Sequence, residues 1–549
     1  MRTFSATSIL LILFCINSPA PAQLFSSFDS LRGSNGPHRA LWNVLHYDLT
    51  ITPNLQQRTL QGVNRMTFFD SGTRLMQIDL QQPMQIDSVL HSGNHLTYSR
   101  NGNVYTLMFI DTNSLYHYRV QPGVRTIDIY FSGKPKEAAL PPWDGGWVWK
   151  TDANGNPWAS VACQGDGASL WYPCKDYMAD KPDSGAILRI ITPRHLSGVG
   201  NGKLIETKAL PGDSTQYTWQ VKNPINTYNI IPYIGKYVSF NETFRGENGQ
   251  LPIEYWVLEP NLDKARIHFK QVPHILESME YWLGPYPFYD DGYKLVEAPY
   301  LGMEHQSNIA YGNAYKNGYL GNDLSGSGYG LLWDFIIVHE TGHEWFGNSL
   351  TADDMADLWI HEGFTTYTEV LYTESLSGKA AADSFMQGTL QRIENNSPVL
   401  GTYGVRNEGS TDMYPKGAAL IHMMRSIIRD DVKFRSILRQ MVSHFQHGYI
   451  STPLLLEFWN AQTGRNFNKM FEQYLTTTQI PVLEWRNDKK WIYYRWSQCM
   501  DGFNMPLEVQ TSCNRLITLE PTTEWKKMAC RHATLTAAKN YYVEIKKVD

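Results

Sequence analysis

VHETGHEWFGNSLTADDMADLWIHEGF, residues 338–364, sets His339 and His343 around Glu340 in the spacing H-E-x-x-H. On a helix, positions i and i+4 share one face a turn apart, so both imidazoles reach a single ion while Glu340 stands beside it. With 16 histidines and 53 acidic residues in 549, only about 0.05 such matches arise by chance. A catalytic zinc takes three protein ligands and keeps its fourth position for water, so a third ligand is required. Glu362 follows His343 with 18 residues between, room for a turn and the start of a second helix near EGFTTYTEVLYTES. Trp359, Ile360 and Phe364 flank it, which favours a carboxylate buried beside a cation. Leu332, Phe335, Ile336 and Val338, at mixed steps of three and four, predict that 331–348 is a buried helix carrying both histidines. The expectation is one zinc per chain, held by His339, His343 and Glu362, with Glu340 as general base. Asp357, five residues before Glu362, is a candidate partner for a ligand imidazole N–H, or a cap on the second helix.

Working outward, the text from about 40 to 240 is strand-like: Tyr47, Leu49 and Ile51 alternate in YDLTI, and MQIDL and TIDIYF follow between Gly, Pro, Asn and Asp clusters. Over 251–480 the periodicity lengthens toward helical spacing, as in AALIHMMRSIIRDDVKFRSILRQMVSHF. After Pro481 short alternating runs such as KWIYYRW return. The predicted fold class is multidomain α+β. An antiparallel β domain spans 23–240, a mostly helical metal-bearing domain 241–480 and a small β domain 481–549. The net charge of −5 with no basic run gives no electrostatic footprint for nucleic acid and no polybasic membrane patch. Oligomeric state is not legible.

The first residues, MRTFSATSILLILFCINSPAPAQ, combine Arg2, an apolar run from Ala6 to Ile16 and Ala20-Pro21-Ala22 before Gln23. They read as a secretory signal over 1–22, with export and cleavage near Gln23, and no later run is long enough to span a membrane in the mature chain. Cleavage removes Cys15 and leaves Cys163, Cys174, Cys499, Cys513 and Cys530, an odd number. Bridges among the last three would suit a small exported domain, while Cys163 and Cys174 read equally as buried thiols.

The stretch HETGHEWFGNSLT…DLWIHEGF is similar to the gluzincin aminopeptidases, the family of aminopeptidase N and leukotriene-A hydrolase, which carry H-E-x-x-H-x18-E with WFGN and EGF around it. Three more segments resemble that family in its order: CQGDGASLWYPCKD at 163–176, PYPFYDDGYKLVEAPYLGMEH at 285–305, and YPKGAAL at 414–420. The resemblance implies a thermolysin-like catalytic domain, peptide substrates with a free N-terminus, and hydrolysis of the first peptide bond. It implies that Glu304 pairs with the substrate's α-ammonium. Gly302 and Met303 lie in the same substrate-binding stretch, and Gln164 assists at the amine or holds the structure. Tyr414 would donate to the oxyanion of the tetrahedral intermediate.

The chain departs from the family pattern where Leu301-Gly302 replaces Gly-Ala, His305 replaces Asn and Glu344 replaces Gln, so substrate preference does not transfer. It also ends about 65 residues after Pro481, without the large helical C-terminal domain of the longer relatives. Two alternatives stand beside the aminopeptidase reading. A zinc endopeptidase would have no use for Glu304, and a non-catalytic peptide-binding scaffold would have no use for an intact set of ligands and base.

Overall fold

The computed structural model describes residues 25–109, 121–488, 490–512, 515–529, 534–537 and 539–549. The expected signal segment, Cys15, Cys513 and Cys530 lie outside them. Cys163, Cys174 and Cys499 are free thiols.

An eight-stranded sheet dominates the N-terminal part, in the order Lys203–Leu210, Ser214–Val221, Ala186–Pro193, Trp42–Asn54, Thr59–Asp70, Gly123–Gly133, Gln85–His91, Asn94–His95. The alternation in YDLTI does what period-2 patterning requires: Tyr47, Leu49 and Ile51 enter the core while Asp48 and Thr50 face out. The expected all-antiparallel pairing needs one correction. Trp42–Asn54 runs parallel to Ala186–Pro193, with Leu49 opposite Leu188, because the chain between them leaves the sheet to build two smaller ones.

A boundary at 240/241 falls inside the strand Tyr237–Gly246, which begins a five-stranded mixed sheet. That sheet runs Tyr237–Gly246, Gly249–Leu258, Tyr293–Glu297, Ile309–Tyr311, Gly302–Met303. Helical spacing is the expectation over 251–480, yet Gly249–Leu258 alternates as a strand, and Tyr293–Glu297 and Ile309–Tyr311 are buried at every residue, Lys294 and Glu297 included. Successive residues divide between two cores. Tyr293, Leu295, Ile309 and Tyr311 pack with the helices, whereas Val296, Ala298, Met303 and Ala310 pack with the N-terminal sheets. The short edge strand Gly302–Met303 therefore lies at the seam between the two cores.

Beyond it come the helices Val272–Leu283, Phe335–Gly342, Trp359–Ser377, Lys379–Leu390, Pro415–Ile428, Asp431–Phe445, Thr452–Thr463 and Asn468–Thr476. The expected helix over 331–348 is shorter. A 3-10 turn, Tyr329–Leu331, precedes it, Leu332 is exposed, and Asp334 starts the helix by accepting from the Ile337 N–H at 3.2 Å. The last part, from Val482, forms one four-stranded and one three-stranded sheet. Leu483, Trp485, Ile492 and Trp496 of the first and Leu507, Val509 and Leu519 of the second join the same apolar cluster as the helices, so both sheets share one core with them. Among the described residues no helix is long and apolar enough to cross a membrane.

Candidate active site

The two short segments HETGH and WIHEGF meet because their helices pack at the centre of the helical core. His339 lies in the last turn of Phe335–Gly342, and His343 follows as its C-cap with φ −64° and ψ −19°, still helical, so the one-turn spacing is kept. Glu362 sits in the first turn of Trp359–Ser377. The Nε2 atoms of His339 and His343 are 3.2 Å apart, and Glu362 Oε2 lies 3.6 and 3.3 Å from them. The oxygen is fully buried and makes no hydrogen bond among the described residues. Three donors that converge without satisfying one another fit a cation.

The atoms behind them prepare the donors. His339 Nδ1 lies 2.8 Å from Glu369 Oε1, and His343 Nδ1 lies 2.8 Å from the Phe346 carbonyl and 3.1 Å from Thr365 Oγ1. A carboxylate and a carbonyl only accept, so each Nδ1 is the donor and each Nε2 is left to offer a lone pair. Burial pushes the Glu362 carboxyl up, but the neighbouring imidazoles outweigh it and hold the group below its usual range. The expected role of Asp357 is corrected. Its carboxylate accepts from Tyr403 Oη at 3.0 Å, the Thr452 N–H at 3.2 Å and the Thr452 hydroxyl, and touches neither ligand histidine. It does not cap the helix either, because the N-cap is Leu358 and makes no side-chain bond.

Glu340, Glu304 and His343 form a second group with ligand atoms within 4.8 Å of one another. Burial raises the Glu340 carboxyl to about 7 against the pull of the two histidines. A Cβ on Gly302 would come within 2.7 Å of Glu340 Oε1 and 2.8 Å of Ile336 Cγ2, so a larger residue here would have to displace the Glu340 carboxylate or the Ile336 side chain. Met303 turns its side chain into the N-terminal core. Glu304 is 3% exposed. Its Oε1 accepts from Gln164 Nε2 at 2.5 Å and Tyr228 Oη at 3.0 Å, and its main-chain oxygen accepts from Asn348 Nδ2 at 2.7 Å. Burial raises its carboxyl too, with the Glu362 charge adding to the shift and His343 opposing it.

Tyr414 arrives from a third helix. Pro415–Ile428 crosses Trp359–Ser377 at Gly363 and Gly417, so closely that a Cβ on Gly363 would lie 2.9 Å from Gly417 Cα. The crossing brings the head of that helix to the metal group, and the Tyr414 ring stacks on His339 at 6.1 Å and 27°. Burial, then the carboxylates of Glu362, Glu304, Glu408 and Glu340, keep its phenol protonated far above the ordinary range. It is a donor at any working pH.

The structure thus brings together His339, His343, Glu362, Glu340, Glu304, Gln164, Gly302 and Tyr414. Sequence reasoning passed over Glu369, Thr365, Tyr228 and Asn348. Glu369 and Thr365 were findable, since they stand seven and three residues after Glu362 on the same helix face. Of the three departures from the family pattern, Gly302 lies beside Glu340, whereas Glu344 and His305 make their bonds away from the centre. Glu344 accepts from the Ser307 N–H at 2.8 Å and Tyr286 Oη at 3.0 Å, and the His305 Nδ1 meets Tyr233 Oη at 2.5 Å.

Residues 299–474 match the Peptidase family M1 domain. The chain is similar to glutamyl aminopeptidase of Rattus norvegicus, 23% identical over 312 residues that cover 53% of this chain and 31% of that protein. It is similar to aminopeptidase B of Homo sapiens, 25% identical over 311 residues covering 53% and 43%, and to aminopeptidase 2 of Candida albicans, 21% identical over 463 residues covering 80% and 48%. It spans less than half the length of each. In fold it is similar to an M1 zinc metallopeptidase of Deinococcus radiodurans solved with a Tyr-Ser-Ala substrate. The TM-score is 0.66 at 18% identity, covering 81% of this chain and 96% of that one. The matched stretch takes in Glu304, the HETGH helix, Glu362 and Tyr414, so the similarity to the Peptidase family M1 domain covers the side chains gathered at this site.

Proposed function

We propose that this chain is a zinc aminopeptidase that removes the first residue of peptides. The observation that carries this reading is Glu304, a buried carboxylate held by Gln164 and Tyr228 within 4.8 Å of Glu340 and His343. An ionised carboxylate in so dry a position binds a cation strongly, and a peptide offers one at its α-ammonium. Anchored there, only the first peptide bond reaches the centre. His339, His343 and Glu362 would hold the zinc, which supplies a Lewis acid for the scissile carbonyl and acidifies water. Glu340 takes the proton of the attacking water and delivers it to the departing amine, a transfer suited to a carboxyl pushed up by burial. The Tyr414 hydroxyl donates to the oxygen that gains negative charge as the carbonyl becomes tetrahedral.

The test compares aminoacyl-coumarins and short peptides with their N-acetylated forms, with and without a chelator. Chelator-sensitive cleavage confined to free amines is expected, and Glu304→Ala should shrink the preference for them. Equal cleavage of both forms by the unmutated protein would point to an endopeptidase, and no chelator-sensitive cleavage to a binding scaffold. The reading includes export, supported by the leader-like run up to Gln23. N-terminal sequencing of the protein recovered outside the cytoplasm tests it.

A further inference from the structure

Residues 25–41 lead into the first strand by crossing loops from both walls of the site. The segment makes a short helix, Ser27–Arg32, opened by a capping box between Ser26 and Asp29, and one more turn, Pro37–Ala40. So short a polar piece has little apolar area to bury, and two buried arginines anchor it instead. Arg39 donates to the Leu31 and Ser34 carbonyls at 2.6 and 3.0 Å, folding the segment on itself, and to Asp79 Oδ2 at 2.5 Å. Arg32 donates to Asp176 Oδ1 at 2.6 Å and to the Gln164 carbonyl at 3.0 Å. The Asp176 N–H reaches Asp79 Oδ2 at 3.1 Å, so the two arginine–aspartate pairs form one network. There is no slack, since a Cβ on Gly167 would lie 2.5 Å from Arg32 Cζ.

The other side of the segment meets the loop that leads to Tyr414. The Arg406 N–H donates to the Asp29 carbonyl at 2.9 Å, the Arg406 guanidinium lies 5.6 Å from the Phe28 ring centre, and a Cβ on Gly33 would lie 2.2 Å from the Val405 carbonyl carbon. Arg406 also pairs with Asp166, two residues after Gln164.

We infer that residues 25–41 are a strap tying the Gln164 loop to the Tyr414 loop, and that Arg32 is a positioning residue for recognition of the substrate's amino end. Its guanidinium holds the Gln164 carbonyl, and the Gln164 side chain in turn holds Glu304 at 2.5 Å. The planar fork serves Asp176 and Gln164 together. A lysine would keep the charge opposite Asp176 and lose the second bond. The inference rests on Glu304 as the acceptor of the α-ammonium.

The experiment measures kcat and KM on a free-amine tripeptide and its N-acetylated form for the full chain, Arg32→Lys, Gln164→Ala and the double variant. Arg32→Lys should raise KM for the free-amine peptide about 5–10-fold, the worth of roughly one hydrogen bond, with kcat within about twofold. In the Gln164→Ala background it should add nothing, because the effect runs through that side chain. An equal further loss there, or a fall in kcat with KM unmoved, overturns the inference. Should Arg32→Lys fold poorly, Arg32→Gln with Asp176→Asn removes both charges together and faces the same criteria. If the unmutated protein shows no preference for free amines, the reading of Glu304 fails and takes the inference with it. If it shows the preference without coupling between Arg32 and Gln164, the strap alone fails.

Discussion

Replacing Glu369 by glutamine asks how far metal affinity depends on a residue that touches no metal. Glu369 lies two helical turns beyond Glu362, is 1% exposed, and accepts from His339 Nδ1 at 2.8 Å. Glutamine keeps the volume and an acceptor oxygen, so the bond can re-form, but the negative charge that makes the imidazole a better donor is gone. Partners of this kind are worth about 10–100-fold in affinity, or roughly 1.4–2.8 kcal/mol at 1.4 kcal/mol per decade. Zinc affinity measured by chelator competition should fall by that factor, while kcat at saturating zinc stays within about threefold, since Glu340 and Tyr414 are untouched. Two contrasts sharpen the test. His343 Nδ1 would still have the Phe346 carbonyl at 2.8 Å in Thr365→Val, so affinity there should change less than about threefold. Asp357→Asn should leave zinc binding unaltered, because its bonds go to Tyr403 and Thr452. The reasoning is refuted if Glu369→Gln binds zinc as tightly as the unmutated protein, or if Asp357→Asn loses as much.

Other outcomes follow from the same geometry. Glu340→Gln should retain zinc and lose most turnover; loss of the metal would mark Glu340 as a ligand. Tyr414→Phe keeps the ring on His339 and removes only the donor, so kcat should fall about 100-fold or more with KM nearly constant, and a change in KM alone would contradict the oxyanion role. Gly363→Ala forces a Cβ to 2.9 Å from Gly417 Cα; overpacking costs about 1–3 kcal/mol and shifts the helix that carries Tyr414, so kcat should suffer more than zinc affinity. Burial lowers the Lys181 ammonium to about 7, although its Nζ donates to the Asn348 and Ser349 carbonyls at 2.9 and 3.1 Å. Unfolded, it keeps its proton up to about 10.5. Between those values the unfolded state binds more protons, so the contribution of Lys181 to stability rises with pH across that window. Melting temperatures from pH 7 to 9 should therefore climb less in Lys181→Met than in the unmutated chain, and parallel curves would count against the assignment.

What was legible in the sequence divides along physical lines. The pair His339 and His343 with Glu340 could be read because helical periodicity makes a three-dimensional statement from spacing alone: four residues is about one turn, and the pair survives even though His343 stands at the helix cap. The N-terminal sheets could be read because one face is wet and alternation survives. The five-stranded sheet could not. Its strands Tyr293–Glu297 and Ile309–Tyr311 lie between two different cores and are buried at every residue, so burial there no longer alternates, and they are too short for a pattern to stand out. Asp357 misled because proximity in sequence stood in for direction. The 3-10 turn Met355–Asp357 aims it at Thr452 and Tyr403, while the histidine's partner, Glu369, sits farther along the chain on the correct helix face.

The glycines of the motifs carry a different kind of information, which spacing alone does not disclose. Gly302 admits the edge strand beside Glu340, and Gly363 and Gly417 let two helices cross at backbone distance. None of these residues has a side chain to contribute to chemistry, yet each sets how closely a functional neighbour can come. Gly363 follows Glu362 directly, and Gly417 lies three residues after Tyr414. One crossing therefore fixes the third ligand and the hydroxyl relative to each other, through two backbones rather than through flexible side chains. Rigidity of that kind is what the donation proposed for Tyr414 would require, because a displacement of about 1 Å already costs about 100-fold in rate. The same logic reaches the strap, where Gly167 leaves room for the Arg32 and Asp176 side chains against the Gln164 loop and Gly33 lets the segment's backbone meet that of Val405. Positions in this chain that look chemically empty thus set the distances on which its chemistry depends.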